Sequence, residues 1–122
     1  MVYELSLPQI VPQMTSARIE CVYTSVGDSL QIGTKLLDIS VDLSSAFAQE
    51  CPPISFYRIV ARDRGIIRVQ DLTPGQKIDV GEVLALIADS EETDISGPVE
   101  RPLRATVAGI IHHEGMWTGT QA

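Results

Sequence analysis

The chain has 122 residues, of which 44% are hydrophobic and 20% charged, with a formal net charge of −7. This is enough apolar material for one ordinary domain and argues against wholesale disorder. The acidic balance argues against nucleic acid or anionic lipid as the main partner, because phosphate recognition needs a basic footprint. No apolar run approaches the ~18–20 residues of a membrane span. Residues 1–5 lack the basic and apolar regions of a signal peptide. The chain therefore reads as cytoplasmic, with no membrane partner. In that setting Cys21 and Cys51 read as free thiols, and no Cys-x-x-Cys or His/Cys cluster supports a metal.

In chain order, residues 18–23 (Arg-Ile-Glu-Cys-Val-Tyr) alternate with period two and predict a strand. Gly27 and Gly33 then mark two corners where a positive φ suits glycine. Leu36, Leu37 and Ile39 follow as a second apolar strand. Residues 65–69 alternate in part, Gly75 and Gly81 mark two further corners, and Leu84, Ala85 and Ile87 close the series. The second set repeats the first: residues 26–33 recur as 74–81, an offset of 48 residues, with aligned apolar flanks. Pro8, Pro12, Pro52, Pro53, Pro74, Pro98 and Pro102 interrupt the chain too often for long helices. The expectation is all-β: two similar four-stranded halves, each too small to bury its own face, packed as a sandwich or flattened barrel.

These residues resemble the biotinyl/lipoyl domain family, in particular the lipoyl domains of 2-oxo acid dehydrogenase acyltransferase subunits. Residues 2–10 are similar to that family's opening strand, 14–20 to the stretch that follows, and 26–39 to the next motifs without a gap. Residues 65–87 resemble its return half. The resemblance implies a barrel-sandwich hybrid fold. It also implies a tight hairpin after the fourth strand, whose Asp-Lys tip carries lipoate, or biotin in the sister family, on a lysine amide. The matching positions here are Val41, Asp42 and Leu43: the aspartate is present and the lysine position is leucine. Leucine has no nucleophile, so neither lipoate nor biotin attachment is expected. The two lysines, Lys35 and Lys77, fall by their local context in corners away from the hairpin tip.

Residues 1–95 are thus expected to form the lipoyl-like domain, with an enlarged loop over 43–63 and a C-terminal extension over 96–122. The loop is longer than the family's hairpin and contains both phenylalanines, Phe47 and Phe56, which either fold back onto the barrel or offer a docking surface. Residues 89–94 form an acidic run that reads as a solvated turn or linker. Residues 103–111 suit a helical face or a strand equally well. His112, His113 and Glu114 do not converge on a metal in either geometry, and Trp117 reads as the cap of an apolar patch.

No catalytic constellation emerges. Ser44, Ser45 and Cys51 have no His and acid partners nearby in sequence, and neither a Gly-rich phosphate loop nor a nucleophile elbow occurs. The expected function is a non-catalytic binding or scaffold module with a protein partner, its loop and tail also offering surface to a second copy. Two other readings are an atypical component of a 2-oxo acid dehydrogenase or biotin carboxylase system and a transport-adaptor barrel-sandwich module.

Overall fold

The computed structural model describes residues 1–42 and 54–110. They form ten strands: β1 (Val2–Ser6), β2 (Ser16–Val22), β3 (Ser29–Leu30), β4 (Lys35–Asp42), β5 (Ile54–Ala61), β6 (Gly65–Gln70), β7 (Lys77–Asp79), β8 (Val83–Ala88), β9 (Arg101–Pro102) and β10 (Ala105–Ile110). No helix occurs among the described residues, and so none long and apolar enough to cross a membrane. The strands build two five-stranded sheets, β3-β6-β8-β1-β9 and β10-β5-β4-β2-β7. The sheets face each other and do not close into a barrel.

Alternation of side chains makes the sandwich. In β4, Leu37, Ile39 and Val41 are fully buried between the sheets, while Asp38, Ser40 and Asp42 point to the other face. Ile19 of β2, Ile59 of β5, Ile67 of β6, Ile78 of β7 and Ile87 of β8 complete the same layer. Each such side chain contributes about 1.5–3 kcal/mol by leaving water.

The 48-residue repeat reappears as a pseudo-two-fold relation between the sheets. β2, β3 and β4 answer β6, β7 and β8, and β1 answers β5. β2 lies between β4 and β7 just as β6 lies between β8 and β3. Each sheet therefore takes strands from both halves, so the halves interleave instead of standing as separate units. The turn bonds obey the same relation: Gly27 N donates to Ile67 O at 2.8 Å, and Gly75 N to Ile19 O at 2.7 Å. Gly27 (φ 97°) and Gly75 (φ 92°) occupy the left-handed region, as do Gly33 (φ 100°) and Gly81 (φ 89°). Both β2 and β6 carry a bulge at matching places, between Ile19 and Cys21 and between Ile67 and Val69.

Two boundaries differ from the sequence expectation. The stretch read as a loop over 43–63 contains β5, which starts at Ile54 and pairs antiparallel with β4 and β10. Its own alternation places Ile59 and Ala61 in the core, a period-two signal that the prolines before it obscured. Residues 101–110, set apart as part of an extension, join both sheets. β9 lies parallel to β1, and β10 lies antiparallel to β5. The reason is a buried carboxylate, Asp63, in the turn between β5 and β6. It accepts from both terminal nitrogens of Arg101, at 2.8 and 3.1 Å, and from Arg104 N at 2.7 Å. Arg101 also stacks over the Tyr3 ring, 4.2 Å from its centroid. Leu43, Phe47, Ser44, Ser45, Cys51, His112, His113, Glu114 and Trp117 lie outside the described residues.

Candidate functional site

β4 and β5 form an antiparallel hairpin whose described part closes at the pair Asp42 and Ile54. This is where the sequence resemblance puts the modified hairpin. Beside that pair, on the outer face of the second sheet, lies a groove of about 460 Å³. Ladder register explains its walls. Lys77 of β7 pairs with Arg18 of β2, Arg18 with Ser40 of β4, Ser40 with Phe56 of β5, and Phe56 with Ile110 of β10. Directly paired residues share a face, so this row forms a continuous band from a cationic end to an apolar end. Ser16, Glu20, Asp42 and Ile54 border it.

The structure brings Phe56 and Asp42 of the expected site into this groove and adds Lys77. The sequence placed Lys77 in a turn away from the hairpin tip. Instead, β7 crosses to pair with β2, which lays Lys77 beside Arg18 and in the same groove as Asp42. Lys35 behaves differently: it opens β4 opposite Val60, at the far end of the hairpin, with its ammonium 5.7 Å from the Tyr23 ring centre. Phe56, expected in a loop, is a half-buried strand residue.

The outer face of β4 is polar yet largely covered, which requires partners for its side chains. The Ser40 hydroxyl donates to Glu20 Oε2 at 2.6 Å. Asp38 accepts from Arg58 Nε at 2.8 Å and Nη2 at 3.2 Å, and from the Tyr23 hydroxyl. Arg58 Nη2 lies 3.2 Å from the Tyr23 oxygen, and the guanidinium sits over the ring at 5.5 Å. The hydrogen bond to Asp38, followed by desolvation, raises the Tyr23 pKa above its ordinary value. The same carboxylate raises that of Arg58. Sequence reasoning did not single out Arg18, Glu20, Tyr23, Asp38, Ser40 or Arg58. One signal was available: Asp38 and Ser40 alternate with Leu37, Ile39 and Val41, which marks a polar outer face.

The pseudo-two-fold mate of this face looks different. Where β4 carries Asp38 and Ser40, β8 carries Leu86 and Ala88. There the chain after β8 folds back, Arg68 donating to the carbonyls of Ser90 and Thr93 at 3.1 and 2.8 Å. Ala88 and Val2, paired on that face, are buried without belonging to the central core. The groove on the second sheet is the equivalent position, with Glu20 in place of Arg68.

Chemically, the groove offers two cations, two carboxylates, two hydroxyls and an apolar end. Among the described residues no three His, Cys, Asp or Glu side chains gather as a metal site would require.

No family model matches the chain, and no solved structure does. Among curated proteins it is similar to the dihydrolipoyllysine-residue acetyltransferase component of the acetoin cleaving system of Pseudomonas putida, at 26% identity over 102 residues. The match covers 82% of this chain and 25% of that protein, so the chain spans about a quarter of its relative's length. Its all-β fold and this similarity together relate the chain to lipoyl domains.

Proposed function

We propose that this chain is a lipoyl-type domain that carries no covalent cofactor and acts through its surface, as a non-catalytic binding or scaffold module. One observation carries the reading. The connection between β4 and β5, residues 43–53, contains no lysine, and the position matching the attachment lysine is Leu43. A swinging arm needs a primary amine at the hairpin tip. Neither of the chain's two lysines is in that connection: Lys35 lies at the opposite end of β4, and Lys77 lies on β7, in the groove beside the hairpin.

The partner is a protein, and the groove beside the hairpin is the contact surface. Its mixed charges and half-buried phenylalanine suit a polypeptide better than a phosphate backbone, and the chain's net charge of −7 opposes nucleic acid. A second reading makes the chain an atypical component of an acyl-transfer assembly, with a modification at another residue. The name of its Pseudomonas relative, an acetyltransferase component, favours that setting.

Intact-mass measurement after co-expression with lipoate and biotin ligases tests the proposal. The unmodified mass is expected with both. A lipoyl or biotinyl adduct on Lys77 or Lys35 would overturn the cofactor-free reading and support the second.

A further inference from the structure

Both sheets end on strands contributed by the region after residue 100, but the two ends differ. β9 is two residues long and contains Pro102, which blunts its edge. β10 runs for six residues, Ala-Thr-Val-Ala-Gly-Ile, with no charge and no proline. Natural edge strands of this length normally carry such protection, because their unpaired N–H and C=O groups template another strand. Among the described residues nothing pairs with the outer side of β10.

The ladder identifies the outward groups. Arg62 N donates to Arg104 O at 2.8 Å, and β10 then pairs with β5 from Ala105 opposite Ala61 to Ile110 opposite Phe56. Antiparallel ladders alternate, so Thr106, Ala108 and Ile110 bond to β5. The N–H and C=O of Ala105, Val107 and Gly109 face outward.

These outward groups are symmetric about Val107. We propose that β10 pairs antiparallel with β10 of a second copy, Val107 opposite Val107 and Ala105 opposite Gly109. This register satisfies every outward group of the strand with about six interstrand hydrogen bonds. It keeps side-chain parity, as antiparallel pairing demands, and sets Thr106 opposite Ala108 on the outer face. No like charges oppose each other within the strand, although the chain as a whole is acidic. A crevice of about 210 Å³ opens beside the same edge, where the sheets diverge, with Leu103, Ala105 and Val107 in its wall. The second copy's Val107 comes to lie beside that apolar mouth. The two five-stranded sheets become one continuous ten-stranded sheet across a two-fold axis.

Sedimentation equilibrium of the whole chain across a dilution series tests the proposal, the expected mass rising from one chain to two. Gly109→Pro removes an outward N–H and fills the edge without touching the β5 ladder. No atom lies within 4 Å of a Cβ at that position. It is expected to weaken dimerisation at least tenfold. A second readout does not depend on that variant folding: in a chain with Cys21→Ser and Cys51→Ser, Val107→Cys should form an intermolecular disulfide on mild oxidation, and Ala108→Cys should do so far more slowly. A single chain at every concentration overturns the proposal, whether the edge is then covered by other residues of the chain or by a different protein. So does a dimer that survives Gly109→Pro and does not crosslink through position 107.

Discussion

Arg101 grips both carboxylate oxygens of Asp63 across 38 residues of chain, and the backbone N–H of Arg104 completes the clasp. This contact fastens the two last described strands to the turn between β5 and β6. Asp63→Ala is therefore expected to cost about 1–2 kcal/mol, the lower range for charge-assisted hydrogen bonds because Arg101 is partly solvated. Urea unfolding measures the loss. Hydrogen exchange should show the amides of Thr106 and Ala108 losing protection before those of β4.

Acid sensitivity follows from the same carboxylate. The hydrogen bonds from Arg101 hold the Asp63 pKa below its ordinary value; desolvation opposes them, and the Arg104 N–H adds to the lowering. A depressed folded pKa contributes stability that is present above the unfolded value, ~3.9. It is lost as the pH falls through the folded value. The gap in melting temperature between wild type and Asp63→Asn should be full at pH 7 and shrink below about pH 4. Asp89 and Asp94 also titrate low, but they are common to both proteins and cancel in the comparison.

Glycine substitutions separate conformational from steric cost. Gly27→Ala and Gly75→Ala place a side chain at positive φ in open space, so each should cost roughly 1–2 kcal/mol. Their costs should agree, since the pseudo-two-fold relation gives them the same hydrogen bond. Gly65→Ala should cost more, because its Cβ would fall 2.5 Å from Ile87 Cγ2 and 2.9 Å from the Ala88 carbonyl oxygen. Gly97→Ala, with neither constraint, should be nearly neutral in thermal melts.

Ultraviolet titration reads the polar face of β4. One of the chain's three tyrosines should ionise late, since Tyr23 loses its donation to Asp38 when it deprotonates. Asp38→Asn is expected to bring that titration back toward ~10. A titration curve unchanged by the substitution would show that Tyr23 does not feel Asp38.

Local demands on the backbone were legible in the residues themselves. Gly27, Gly33, Gly75 and Gly81 stand where φ is positive, and period-two runs mark β2 and part of β6, because turn and pleat are decided by neighbouring residues. The repeat, too, needs only self-comparison. What the sequence could not express was pairing. A two-residue strand such as β3 or β9 has no period to detect, and its place depends on partners dozens of residues away. By local context Lys77 belongs to a turn, yet β7 crosses onto β2, and residues 54–61 follow loop-like prolines, yet β4 and β10 enclose them as a strand. The groove is likewise a product of interleaved halves, and the Asp63 clasp ties them to the strands after residue 100. Hydrogen bonds between distant segments create them, and only tertiary structure specifies those bonds.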